Sequence, residues 1–435
     1  PATYKQPVQI CRLYLHEATR VYGDHMVNES DVERFMEVLI KNAKAHLGEL
    51  DQEALLNEPI LFSTFVEEAE GDQKMYLMLE DWDHVSKILT KQLQMYNESF
   101  AMMNLVLFNQ AMEHITRISR IVDNPRGNAM LVGVGGSGKQ SLTRLASFIG
   151  GLEVFQVKLT SSYGMADFKD DLRAMYMKTG VKGIPVSFLF TDQQIFKESA
   201  LMVLNDILSL GYPPGLFAEE DKDTIRNGVR NDAKQAGVFG SPDTLWEFFI
   251  TRVRAMLHLC ICMSPVGDKF RNRCRKFPAL TSCTAINWFF NWPSQALISV
   301  AQRFLGEVET PEIRDACANH MAFVHESVGV AAEQYRKLER REVYTTPKSY
   351  LELIELYKME LDVNRGGRRV LKERLEEGLI KLVDAQNQVA DMQVVIAEET
   401  IFVEKKVKET GELIVVVGQR SVIAEEEGAK AAIEE

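Results

Sequence analysis

Met130-Leu131-Val132-Gly133-Val134-Gly135-Gly136-Ser137-Gly138-Lys139-Gln140-Ser141-Leu142-Thr143-Arg144-Leu145-Ala146 is the stretch on which the fold turns. An apolar run ends in glycine, a glycine-rich turn follows, and a lysine opens a helical pattern. A phosphate-binding loop requires this order. The glycines let the turn present successive backbone N–H groups to phosphate oxygens, the helix N-terminus adds its positive dipole end, and Lys139 reaches the terminal phosphates. The nucleotide-binding candidates are therefore Gly133, Gly135, Gly136, Ser137, Gly138, Lys139, Gln140 and Ser141.

The second half of such a site is an apolar strand ending in Asp, and Phe188-Leu189-Phe190-Thr191-Asp192 fits. Asp192 is read as the magnesium residue, acting through water. Gln193 stands where an ATPase places the Glu that polarises the attacking water; it can hydrogen-bond but cannot accept a proton at neutral pH. Gln140 stands where Ser or Thr gives a hydroxyl to magnesium, and Ser141 beside it is turned away by about 100° along the helix. Binding reads as intact and hydrolysis as impaired. Ser264, after the apolar run ending at Met263, is placed to touch the γ-phosphate or the attacking water; with Asp192 and Gln193 it completes the catalytic candidates. Phe270-Arg271-Asn272-Arg273-Cys274-Arg275-Lys276-Phe277-Pro278 carries four cations, either a solvated helix end or an arginine finger aimed at a neighbouring module.

Outward from the loop, short apolar runs alternate with helical stretches: Met130–Gly133, Val154–Val157, Val186–Phe190, Leu257–Met263 and Leu280–Ile286. Five such strands separated by helices predict an α/β fold with a parallel sheet covered on both faces. Residues 1 to about 95 read as helices, with Ile10, Leu13, Leu15, Ala18 and Val21, then Val32, Phe35, Val38 and Leu39, at spacings of three and four. The sheet is expected to end near Trp288–Pro293, followed by a smaller helical lid over Gln295–Leu305 and Pro311–Lys337. Thr346-Pro347 signals a helix start, Thr346 as cap and Pro347 in the first position. Leu375, Leu382, Val389, Ile396 and Val403 then recur every seventh residue, beside a companion seam (Leu371, Gly378, Ala385, Met392, Glu399, Lys406) that loses its apolar character. Wholly helical, the segment from Tyr350 would span on the order of 120 Å, too long for a surface helix, and reads as half of a coiled coil. Gly366-Gly367 predicts a soft spot or break near its root.

The chain has 435 residues, 46% hydrophobic and 26% charged, with only 13 prolines; this is a folded, multidomain composition. Fifty Lys and Arg against 62 Asp and Glu leave a net charge of −12, the wrong sign for gripping nucleic acid or anionic lipid. No apolar run approaches the roughly 18 to 20 residues that cross a bilayer, and no signal-peptide core follows Pro1-Ala2-Thr3-Tyr4-Lys5-Gln6, so a cytosolic or connected compartment is expected. The missing initial Met and the ending Ala431-Ala432-Ile433-Glu434-Glu435, cut in mid-pattern, give the expectation of a piece of a longer chain. Cys11, Cys260, Cys262, Cys274, Cys283 and Cys317 lack the density of a disulfide scaffold. Cys260 and Cys262, with His258 beside them, raise a zinc reading, but Cys-x-Cys within an apolar run lacks a turn between ligands and reads as core thiols. No His-Glu-x-x-His pair or Gly-x-Ser-x-Gly elbow occurs, which removes metalloprotease and hydrolase readings.

Taken together, the chain resembles the heavy chains of axonemal dyneins, specifically the fourth AAA+ module and the beginning of the stalk. The resemblance is carried by Gly133 through Leu142, Phe188 through Asp192, Cys262-Met263-Ser264-Pro265-Val266-Gly267-Asp268, Arg275-Lys276-Phe277-Pro278-Ala279-Leu280, and Trp288-Phe289 through Trp292-Pro293. Arg12-Leu13-Tyr14-Leu15-His16-Glu17-Ala18-Thr19-Arg20-Val21-Tyr22-Gly23-Asp24 is similar to the lid of the preceding, third module. The resemblance implies a lid over 1–95, an AAA+ large subdomain over 96–295, a helical small subdomain over 296–349 and the first stalk helix over 350–435. It implies ATP or ADP with magnesium as cofactors. The implied partners are neighbouring modules of the same heavy chain, a returning stalk helix, a microtubule through a stalk tip absent here, and dynein intermediate and light chains through an absent tail, with no nucleic acid and no membrane. The implied location is the axoneme of a cilium or flagellum. In the family each module's finger completes the site of the module before it, so Arg273 or Arg275 would serve the third module. Cytoplasmic members carry Thr at Gln140 and Asp-Glu at Asp192-Gln193; the departures suit the axonemal branch. Two other readings stay open: a fully active ATPase module, and a structural nucleotide-binding coiled-coil protein, the latter disfavoured because the long helix follows a lid.

Overall fold

The computed structural model describes residues 6–46, 52–66, 75–306 and 310–434; Pro1 to Lys5 and Glu435, on which the readings of the two chain ends fall, lie outside them. Seven strands occur among the described residues. β1 (Phe62–Ser63) and β2 (Leu77–Met78) form a short antiparallel ladder. β3 (Ala129–Gly133), β4 (Glu153–Phe155), β5 (Val186–Thr191), β6 (Leu257–Met263) and β7 (Ala285–Phe289) make one parallel sheet in the order β4-β5-β6-β3-β7. Every residue of β3, β5 and β6 is buried, as a parallel sheet covered on both faces requires. Strand alternation sorts the core: Met130, Val132, Phe188, Phe190, Leu259 and Ile261 face one layer of helices, while Leu131, Leu189, Cys260 and Cys262 face the other. The two sulfurs thus share one buried face, where Ser187 Oγ donates to Cys260 Sγ at 3.5 Å. Burial pushes the Cys260 thiol up to about 11.

The fifth strand departs from the sequence expectation. Leu280 belongs to a short helix, Ala279–Ser282, and the strand runs three residues beyond Ile286 to Phe289. The cause is local: Pro278 starts a turn whose carbonyl takes the hydroxyls of Thr281 and Ser282, and Thr284 Oγ1 bonds Leu280 O, so the apolar run is folded up before it can extend. The sheet therefore includes Trp288 and Phe289.

By contact the chain divides into two compact units, Pro1–Glu355 and Leu356–Glu435. In the first, helix Pro7–Val21 lies on helix Asn109–Asp123 through ion pairs of Arg120 with Glu17 and of Arg20 with Glu113, Arg20 also pairing with Asp24 just past its own helix. Burial raises the Glu113 carboxyl, but the charges of Arg117 and Arg20 prevail and hold it down at about 2. Helices Ser294–Phe304 and Pro311–Glu339 follow the sheet. Helix Pro347–Glu434 begins at a reciprocal cap, Ser349 N to Thr346 Oγ1 at 3.2 Å and Thr346 N to Ser349 Oγ at 3.1 Å. Its first turns are core: Tyr350 and Ile354 are buried, and Tyr350 OH donates to Leu297 O at 2.9 Å.

The second unit is the rest of that 88-residue helix. Leu375, Leu382, Val389, Ile396 and Val403 are all exposed along it. The helix runs unbroken through Gly366 and Gly367, contrary to the predicted break. Each glycine costs about 1 kcal/mol relative to Ala, less than breaking a ladder that continues on both sides. Among the described residues no helix is long and apolar enough to cross a membrane.

Candidate functional site

β3 ends at Gly133, the turn spans Val134–Gly138, and Lys139 opens helix Lys139–Gly150. Gly136 and Gly138 take φ of +78° and +85°, a region that favours glycine. A Cβ on Gly133 would stand 2.6 Å from Phe289 Cβ, and one on Gly136 would stand 2.4 Å from Lys348 Cβ, so the loop is packed between β7 and the first turn of the long helix. Gly135 has no neighbour within 4 Å of such a Cβ and faces open space. Lys139 Nζ lies across the turn, donating to Gly133 O (2.8 Å), Val134 O (2.7 Å) and Ser137 Oγ (2.9 Å). Burial lowers its proton affinity, opposed by the negative charge of Asp192.

Facing the loop are the ends of β5 and β6. Thr191, Asp192, Gln193, Cys262 and Ser264 line one open cleft of about 960 Å³ with Gly135 through Ser141. The structure thus gathers Gly135, Gly136, Ser137, Gly138, Lys139, Gln140, Ser141, Asp192, Gln193 and Ser264 around one space, with Gly133 at its root. Gln193 is exposed, and its neighbour Gln194 is buried, accepting from Thr191 N at 2.8 Å and donating to Val157 O, which pins the turn after β5. Gln140 Oε1 accepts a long 3.5 Å bond from Gln156. Neither Arg273 nor Arg275 lines the cleft: Arg273 Nε donates to Glu198 at 3.4 Å, and Arg275 is exposed.

Sequence reasoning missed a second space. On the other side of Gly136, Ser137, Gly138 and Ser141 lies a largely apolar chamber, walled by Phe108, His114, Phe289, Trp292, Phe304 and Leu351 among others. Phe108 and Trp292 meet edge to face at 5.3 Å, and His114 stacks on Phe289 with centroids 3.9 Å apart. The aromatic cluster Trp288–Trp292 was the available signal; nothing in its spacing tells that Phe108 and His114 come to face it.

The two spaces meet at the glycine turn, one rich in N–H donors with a lysine, the other apolar and aromatic. That division fits a nucleotide, phosphates on the loop and base in the chamber. Magnesium fits as well: Asp192 supplies the cleft's one carboxylate, and among the described residues no group of three His, Cys, Asp or Glu could form an all-protein metal cage. Such a site suits an ion that keeps its waters and binds one carboxylate plus phosphate oxygens.

Comparison with known proteins agrees with this geometry. The chain is 49% identical over 428 residues to the "Dynein beta chain, flagellar outer arm" of Chlamydomonas reinhardtii, covering 97% of this chain and 9% of that protein. It is 44% identical over 442 residues to the "Dynein beta chain, ciliary" of Tripneustes gratilla (100% and 10%), and 45% identical over 416 residues to "Dynein axonemal heavy chain 17" of Homo sapiens (95% and 9%). The chain thus spans about a tenth of the length of these curated relatives. The AAA+ lid domain family matches residues 2–57. The family described as P-loop containing dynein motor region D4 matches residues 103–359, more than half of the chain, and to this dynein motor family the chain belongs.

Proposed function

We propose that this chain is a regulatory nucleotide-binding AAA+ module of an axonemal dynein, working in the axoneme of a cilium or flagellum, that binds ATP or ADP with magnesium and turns it over slowly. Gln193 carries the reading: it lines the cleft with Lys139 and Asp192 at the position of a proton acceptor, and its amide accepts no proton. Lys139 Nζ exchanges the carbonyls of Gly133 and Val134 for phosphate oxygens, the loop N–H groups hold those oxygens, Asp192 holds magnesium through water, and Gln193 and Ser264 orient water without taking its proton. Magnesium, when bound, neutralises phosphate charge. Gly136 touches Lys348 in the first turn of helix Pro347–Glu434, so the phosphate loop and the root of that helix share one contact, which supports a link from nucleotide occupancy to a stalk. In this reading 1–95 is the lid of a preceding module, 96–295 and 296–349 the two subdomains of this one, and 350–435 the first stalk helix. Its partners are neighbouring modules, with Arg273 or Arg275 completing the preceding module's site, and a returning helix; microtubule contact belongs to other parts of the motor. A fully active ATPase is the second reading, favoured by Ser141, whose position on both spaces offers a hydroxyl near the phosphates.

Single-turnover hydrolysis in a motor ring with its first module silenced tests this. Proton acceptance contributes roughly 10²- to 10⁴-fold, so Gln193→Glu, alone or with Gln140→Thr, should raise hydrolysis at this site. Fast hydrolysis by the parent removes the regulatory reading; no gain in either variant removes Gln193 and Gln140 as the cause of slow turnover.

A further inference from the structure

His114 is half-buried on helix Asn109–Asp123, flat against Phe289 in the chamber wall. Its Nδ1 is 3.0 Å from Asn287 Oδ1, and the same Asn287 atom is 3.4 Å from Arg117 Nη1. A guanidinium nitrogen only donates, so that Asn287 atom is the carbonyl oxygen, and the imidazole nitrogen sharing it must carry hydrogen. Burial first, and the charge of Arg117 second, hold the ring down to about 3, so it is neutral with its single proton on Nδ1. Nε2 is left with a lone pair. Among the described residues nothing donates to it, and it is not one of the sealed, unpaired polar atoms, as Asn287 Nδ2 is. The chamber wall therefore presents a fixed acceptor among mostly apolar neighbours, Asn104, Gln110, Ser137 and Ser141 being the other polar side chains on it.

We propose that His114 makes this site prefer a 6-amino purine over a 6-oxo purine, Nε2 accepting an N–H of the exocyclic amine. The inference rests on the nucleotide reading, since phosphates on the glycine loop leave the base to the adjoining chamber. A 6-oxo group would set oxygen lone pairs against the Nε2 lone pair. The ring cannot adapt by moving its proton, because a lone pair on Nδ1 would then face Asn287 Oδ1, which Arg117 holds in place. Asn287 and Arg117 are thus positioning residues: they touch no base and decide which face of the imidazole it meets. Discrimination of this kind arises because the wrong base leaves a polar atom unpaired in a mostly apolar space, an effect of about tenfold to a hundredfold.

Calorimetric titration of the 435-residue chain with ADP, with inosine diphosphate and with the diphosphate of 6-unsubstituted purine riboside tests the proposal. The parent should bind ADP at least tenfold tighter than the inosine compound, with the unsubstituted purine between them. His114→Phe keeps the stack on Phe289 and removes the acceptor, so the ADP-to-inosine ratio should fall close to one; a merely structural role would weaken all three nucleotides alike. Asn287→Leu frees the tautomer and should lower the ratio too, and it removes an amide nitrogen that has no partner, so it serves if His114→Phe does not fold. A parent that binds all three nucleotides equally, or variants that keep the parent's ratio, overturn the role of His114 and leave the nucleotide site standing. Failure of the parent to bind any of them removes the nucleotide reading itself.

Discussion

Gly136→Ala perturbs the contact between the phosphate loop and the root of the long helix, and Gly135→Ala, one residue away, is its control. At Gly136 the backbone is left-handed, φ +78°, which costs an alanine about 1–2 kcal/mol. The new methyl would also stand 2.4 Å from Lys348 Cβ and 3.0 Å from Lys348 N, and the backbone atom cannot rotate away. Overpacking of this kind costs typically about 1–3 kcal/mol, so Gly136→Ala should destabilise the chain by roughly 2–5 kcal/mol. Gly135 carries neither burden: a Cβ there meets nothing within 4 Å, and Gly135→Ala should change stability by no more than about 0.5 kcal/mol. Urea denaturation of the nucleotide-free chain measures both, and hydrogen exchange over residues 347–354 should show faster opening in Gly136→Ala alone. Adding Lys348→Gly removes the nearest atom and should restore part of the overpacking cost while leaving the φ cost. Equal midpoints for the two alanine variants, or a larger loss at Gly135, would refute the contact between loop and helix root.

Other outcomes follow from the same geometry. Lys139→Ala should abolish nucleotide binding in an equilibrium filter assay, and with it the ligand-induced stabilisation that reaches about 2.7 kcal/mol at one hundred times the dissociation constant. Stability should fall as pH drops: burial, aided by neighbouring arginines, lowers His114 to about 3 and His16 to about 4, so below 6.5 the unfolded chain takes protons that the folded one refuses until those lower values are reached. Each histidine should then cost roughly 1.4 kcal/mol per pH unit between 6.5 and 4, and His114→Phe should flatten the slope of denaturation midpoint against pH. The 435-residue chain, at net −12, should stay in the supernatant when microtubules are sedimented at physiological salt; pelleting that fades with added salt would expose an overlooked basic patch.

Local chemistry was legible in the chain because it depends on neighbours in sequence. The glycine turn, Lys139, the strand ending at Asp192 and the Thr346-Pro347 start each act over a few residues, and each stands where the periodicity and turn chemistry put it. The heptads of Leu375 to Val403 likewise predicted half of a coiled coil, and that stretch is helical with its apolar stripe exposed. Two local readings failed through competition: hydroxyls at Thr281, Ser282 and Thr284 turned an apolar run into a helical turn, and the flanking helix carried Gly366-Gly367 through without a break. Tertiary structure alone decided what converges on the loop. Phe108 with His114, Phe289, and Leu351 come from three distant stretches of the chain and meet around one chamber only because β7 lies beside β3 and the root of the last helix folds onto Gly136. The protonation of His114 was set in the same way: its own neighbours in sequence do not dictate which nitrogen holds the proton, whereas Asn287, on a strand 173 residues later, does.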